Sequence, residues 1–107
     1  MSALYEDLSL GLSELLGDCL LKMILYGSVA RGTATKDSDI DIALILQRGL
    51  TDLEEDQLLD LVVELNLKYD VVLSLIDIDA QKLKSLSDVL PFYKNILQEG
   101  HVLWTAA

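Results

Sequence analysis

The sequence predicts a small α/β domain built on a mixed β-sheet, with helices packed mainly on one face. Three observations carry this. Strand-length apolar runs recur along the 107 residues, at 20–26, 40–46, 70–76 and 101–104. Segments with apolar residues at helical spacing lie between or before most of them. A short link joins the first two runs, which favours an antiparallel or neighbouring pair.

The elements follow in order. Leu4, Leu8, Leu12, Leu15 and Leu16 recur at helical spacing, with Ser2 as a cap and Gly17 as a stop. Gly11 weakens that helix slightly. Leu20 to Tyr26 reads as a buried strand ending at Gly27-Ser28, and a loop leads to a second strand, Ile40 to Leu46, closed by Gln47-Arg48-Gly49. Thr51 followed by Glu54 has capping-box spacing and starts a helix through about Asn66. Its apolar stripe is Leu58, Leu61, Val62 and Leu65. Asp70 opens the third strand. Asp79 caps a short helix over 80–85, Pro91 suits the first turn of another reaching Glu99, and Gly100 ends it before the last strand. No internal repeat, low-complexity segment or linker interrupts this order.

Composition bounds the function. One domain of this length supports one modest core, and about half of the residues are apolar, so the chain is globular rather than disordered. No apolar run approaches the roughly 20 residues that span a bilayer, and the N-terminus turns acidic at Glu6-Asp7, unlike a signal peptide. A single cysteine, Cys19, fits a reducing, cytoplasmic setting. A formal net charge of −10 argues against direct binding to nucleic acid. With one histidine, His101, and one cysteine, neither a zinc set nor a histidine-assisted nucleophile is expected.

Chemistry concentrates between Tyr26 and Asp41, Y-G-S-V-A-R-G-T-A-T-K-D-S-D-I-D. Asp39 and Asp41 are two residues apart at the head of a strand, which puts both carboxylates on one face. Two carboxylates side by side resist ionisation unless a cation sits between them. The neighbouring glycine turn is able to aim backbone N–H groups at phosphate oxygens. A site for a metal-bound nucleoside triphosphate is the simplest reading. Gly27 and Gly32 have P-loop spacing, but Thr33-Ala34 stand where Lys-Ser/Thr belong. Asp37 to Asp41 copies half of a calcium loop, with Ile42 in place of its glycine and Arg48 in place of its glutamate. Neither alternative holds.

The stretch resembles the G-S…D-x-D signature of the DNA polymerase β nucleotidyltransferase superfamily. The fuller string G-S-V-A-R-G-T-A followed by S-D-I-D-I is similar to the minimal nucleotidyltransferase (MNT) family. Tyr69-Asp70-Val71-Val72 looks like that family's third-carboxylate strand, and Pro91 to Ile96 with Glu99-Gly100 like its closing segment, so the resemblance spans nearly the whole chain. It implies a polymerase β-like palm and a Mg²⁺-dependent transfer of AMP from ATP. Asp39, Asp41 and Asp70 would be the catalytic and metal-binding carboxylates for two ions, with Asp70 accepting the hydroxyl proton. Gly27, Ser28, Arg31 and Lys36 would bind the nucleotide phosphates.

Each assignment has a plainer counterpart. Asp70 as an isolated strand-opening Asp reads as a cap or turn residue, Ser28 as a group satisfying its own turn, and Arg31 as a solvated charge. Asp77 and Asp79 lie at the far end of the third strand, and Asp37 reads as a loop residue. The tyrosines and Trp104 read as core or interface aromatics, and the acidic cluster from Asp52 to Asp60 as a solvated helix face.

The resemblance also implies context. Related polymerases add domains that grip nucleic acid, whereas only Thr105-Ala106-Ala107 follow Trp104 here. MNT proteins typically act as antitoxins beside a HEPN-domain RNase toxin, and some transfer AMP to a tyrosine of it. That function is expected for this chain, and the apolar patch that a minimal palm with short helices leaves exposed predicts homodimer or hetero-complex formation. Two rival readings are an antitoxin that neutralises by contact alone and a small-molecule nucleotidyltransferase.

Overall fold

A computed structural model describes residues 2–106. The first helix, α1 (Ser2–Leu16), buries Leu4, Leu8, Leu12 and Leu16 along one stripe. Ser2 is already helical rather than capping, and Gly17 turns the chain at a φ of 54°. A single 3-10 turn leads into β1 (Leu20–Tyr26), followed by the short α2 (Gly27–Arg31) and by β2 (Ile40–Leu46). The sequence reading treats everything between these strands as loop, so α2 is an addition to it.

The capping box is present. The Thr51 hydroxyl accepts from the Glu54 backbone N–H at 3.1 Å, and the Glu54 carboxylate accepts from the Thr51 N–H at 2.9 Å. It opens α3 (Asp52–Tyr69). Arg48 adds a forked ion pair to Glu54, at 2.8 and 3.0 Å. That guanidinium, with the Thr51 N–H, holds the Glu54 carboxyl down to about 2. A depressed carboxylate contributes stability that is present above its ordinary 4.5 and is lost as pH falls through about 2. The expected result is that Glu54→Gln flattens the fall in Tm across that window relative to wild type, read by circular dichroism. An equally steep fall in the variant would contradict it.

The third strand is a correction. The sequence reading opens it at Asp70 and ends α3 near Asn66; instead α3 runs to Tyr69 and β3 is Leu73–Asp79. The added helical turn is tied down from outside: Lys68 Nζ donates to Asp7 at 2.8 Å, and the Tyr69 hydroxyl donates to the same carboxylate on α1. Asp70 then takes the left-handed C-cap position, at a φ of 52°, with its N–H on the Asn66 carbonyl. The Asn66 side chain accepts from the Leu73 N–H at 2.9 Å and so sets where the strand begins.

Asp79 accepts from the N–H groups of Gln81 and Lys82 and starts α4 (Ala80–Leu86). Pro91 begins α5 (Pro91–Glu99), and β4 (His101–Thr105) ends the order. The sheet order is β3-β2-β1-β4, with β1 antiparallel to both β2 and β4 and β2 parallel to β3. The predicted mixed sheet and the neighbouring antiparallel first pair are therefore observed.

Alternation along the strands divides the interior in two. Met23, Leu25, Ile42 and Leu44 pack with α1 and with Leu65 of α3, so the two long helices cover one face. Gly11 admits the Leu61 side chain between these helices: a Cβ there would lie 2.9 Å from Leu61 Cδ1. Ile24, Ala43, Ile45 and Ile78 face the other way, under Leu83 of α4 and Ile96 of α5. This second, thinner layer leaves the C-terminal end of β1 and the start of β2 accessible. Among the described residues no helix is long and apolar enough to cross a membrane.

Candidate functional site

At the end of β1 the backbone has to reverse within a residue, and Gly27 does so at a φ of 76°. This left-handed conformation costs a side-chain-bearing residue about 1–2 kcal/mol. α2 follows at once and ends at Gly32, also left-handed at a φ of 74°, whose N–H returns to the carbonyls of Ser28 and Val29. Thr33 N–H donates to the Ser28 carbonyl at 3.0 Å. Beyond it Ser38 closes a small turn on Thr35, accepting its N–H at 3.0 Å. The loop thus returns the chain to β2 in a fixed register, with Asp41 directly opposite Tyr26.

That pairing brings Asp41 under Gly27. A methyl group built on Gly27 would collide with the Asp41 carboxylate, so the glycine is needed for space as well as for conformation. Asp41 is half-buried, whereas Asp39, one residue before β2, is exposed. Burial, and then the Asp39 charge, raise the Asp41 carboxyl above its ordinary value; Arg31 and the Ser74 hydroxyl pull the other way. Burial, and then the Asp41 charge, likewise raise the Tyr26 hydroxyl.

Arg31 lies at the end of α2 with its guanidinium 3.9 Å from Glu99 on α5, both about half exposed at 54% and 51%. Such a pair contributes little to stability, which leaves the arginine available to an anion. Between α2 and α5 opens a cleft of about 250 Å³ lined by Tyr26, Gly27, Arg31, Phe92 and Asn95. Phe92 meets Tyr26 edge-on, ring centres 5.9 Å apart, and forms its wall. A larger open groove of about 640 Å³ lies at the opposite ends of β1 and β2, lined by Ser13, Asp18, Gln47 and Trp104. It brings no such carboxylate pair together.

Of the residues singled out in the sequence, Gly27, Arg31, Asp39 and Asp41 therefore converge. Ser28 sits half-buried in the first turn of α2, and Lys36 is exposed on the loop before β2. Asp70, expected on a strand beside the pair, is instead the exposed cap of α3, three residues before β3 begins. Among the described residues, no three His, Cys, Asp or Glu side chains come close enough to share an ion. The β3 residue opposite Asp41 is Ser74. Sequence reasoning missed it because a serine within an apolar run carries no signal until the register is known. Phe92, Asn95 and Glu99 were also missed as site residues; only the helix carrying them was foreseen.

The comparisons agree with this geometry. The polymerase β nucleotidyltransferase family profile matches residues 18–107. The chain is 40% identical over 83 residues to a Methanocaldococcus jannaschii protein named as a candidate protein adenylyltransferase, covering 78% of this chain and 77% of that one. Its fold superposes on a chain from a crystal structure of a toxin–antitoxin with AMP-PNP, with a TM-score of 0.66 at 26% identity, over 95% of this chain and 73% of that one. It also matches a chain of a tri-AMPylated Shewanella oneidensis HEPN toxin in complex with MNT antitoxin, with a TM-score of 0.58 at 25% identity, over 99% and 74%. On the strength of the family match and of the Gly27-Ser28 turn set against Asp39 and Asp41, the chain belongs to the polymerase β nucleotidyltransferase family.

Proposed function

We propose that this chain is a protein adenylyltransferase. It would transfer AMP from ATP, with Mg²⁺, to a tyrosine hydroxyl of a HEPN-domain partner and act in the cytoplasm as the partner's antitoxin. The observation that carries this reading is the carboxylate pair Asp39 and Asp41, with Asp41 lying against a side-chain-free Gly27. The tri-AMPylated HEPN toxin in a neighbouring structure, and the name of the M. jannaschii relative, support the acceptor class and the reaction.

Mg²⁺ prefers oxygen ligands and binds through one or two carboxylates plus substrate phosphates. The pair fits such an ion, because two close carboxylates, one of them half-buried, repel until a cation joins them. When bound, the ion neutralises triphosphate charge and eases departure of pyrophosphate. The remaining work falls to the chain itself. Gly27 lets the backbone approach the phosphates, while Ser28 donates its hydroxyl to a phosphate oxygen. Arg31 and, from the loop, Lys36 supply positive charge to the β- and γ-phosphates. The tyrosine oxygen, its proton passing to solvent, bonds to the α-phosphorus as the bond to the α,β-bridging oxygen breaks, and pyrophosphate leaves with the electron pair. Phe92 and Asn95 flank the space next to Gly27 that a nucleoside would enter.

The test is transfer itself. Protein incubated with α-labelled ATP, Mg²⁺ and the HEPN protein encoded beside it is expected to label that partner on tyrosine. Partner RNase activity suppressed without label on the partner would replace this reading with neutralisation by contact.

A further inference from the structure

The β3 face that looks toward the carboxylate pair is occupied by Ser74 rather than by an acid. In parallel register Asp41 stands opposite Ser74, with Ile40 opposite Leu73 and Ile42 opposite Leu75. Side chains two apart share a face, so Val72, Ser74, Ile76 and Ile78 lie on the side of Asp41. None of them is a carboxylate. The acids of this segment are committed elsewhere. Asp77 faces the α3 side, in a groove with Leu58 and Glu55. Asp79 caps α4 through two backbone N–H groups. Asp70 caps α3 in a left-handed conformation.

We infer that Asp39 and Asp41 hold a single divalent ion, with the neutral hydroxyl of Ser74 standing where a second ion would require a third carboxylate. The inference rests on the proposed metal site and narrows it. Two dications about 3.5–4 Å apart repel strongly, and paired-ion sites offset this with bridging anionic ligands. Here the third group adjoining the pair brings no charge.

Electron paramagnetic resonance of Mn²⁺ with saturating AMP-PNP separates the cases, because neighbouring Mn²⁺ ions are spin-coupled and a lone ion is not. Wild type is expected to show isolated Mn²⁺ only, and Asp70→Asn the same spectrum. Ser74→Asp is expected to gain a coupled pair, about two ions per chain in place of one, while Ser74→Ala keeps the single-ion signal. A coupled pair in wild type overturns the inference, and its loss in Asp70→Asn would make Asp70 the third ligand. A folded Ser74→Asp that gains no pair also overturns it. If that variant fails to fold, the wild-type and Asp70→Asn spectra decide alone. Absence of bound Mn²⁺ overturns the inference together with the metal site. One bound ion without AMP transfer to the partner overturns the proposed function and leaves this inference standing.

Discussion

Asp41→Asn is expected to reduce AMP transfer by at least about 10²-fold, the size of loss seen when one electrostatic contact to a transition state is removed, without lowering stability at neutral pH. The two halves of this expectation have one cause. Asp41 is half-buried and faces a second carboxylate, and both circumstances disfavour its charge. A residue selected for packing would not carry that penalty. Asparagine keeps the shape and removes the repulsion, so the thermal midpoint of the variant should equal or slightly exceed that of wild type. Asp39→Asn is expected to match it in activity. Asp39 is exposed but its charge acts on Asp41, so its replacement should likewise leave the midpoint equal to or slightly above that of wild type. Labelled-ATP transfer and calorimetry on the same preparations check both halves. A variant that melts well below wild type would mean that Asp41 is structural, and full activity in either variant would remove the pair from the chemistry.

Gly27→Ala is expected to cost both stability and turnover. A φ of 76° is strained for any L-residue with a Cβ, by about 1–2 kcal/mol. The new methyl would also meet the Asp41 carboxylate. Relief requires the turn to move away from β2 or Asp41 to rotate out of its place opposite Tyr26. Either movement separates the backbone proposed to bind phosphate from the carboxylates, and a misplacement of about 1 Å is enough for a loss near 10²-fold. Gly32→Ala serves as the control. It has the same left-handed backbone, at a φ of 74°, with no atom within 4 Å of a new Cβ. It should share the loss of stability without the loss specific to the site. Equal activity in the two variants would show that the contact with Asp41 does not matter.

Much of this site was readable in the sequence because its signals are local. The Gly27-Ser28 turn, the i, i+2 spacing of Asp39 and Asp41 and the strands on either side depend on short stretches of chain, and both strands have the expected bounds. The Thr51–Glu54 box is similarly local and appears as read. Asp70 shows where such reading stops. Whether it opens a strand or caps a helix depends on Asp7, far away on α1, which holds Lys68 and Tyr69 in an added helical turn. That added turn moves the strand start to Leu73 and brings Ser74 to the position opposite Asp41. No periodicity in the segment from Lys68 to Asp79 reports this. α2 escaped for a different reason: five residues between two glycines are too few to show a helical period.

The order β3-β2-β1-β4 has a consequence for how the protein opens. On one side β1 pairs with β2, its near neighbour along the chain; on the other it pairs with β4, which lies beyond α3, β3, α4 and α5 in the chain. The first pairing closes a short loop, the second a long one, and long-range pairing is slower to form. β4 is also a short edge strand, largely solvent-facing, with an irregular register against β1. Its amides should therefore exchange with deuterium through local opening, well before those shared by β1 and β2. His101 of β4 pairs with Leu25, two residues before Gly27. The strand readiest to detach is thus a neighbour of the turn proposed to grip the nucleotide, and whatever clamps β4 in place would also steady that turn.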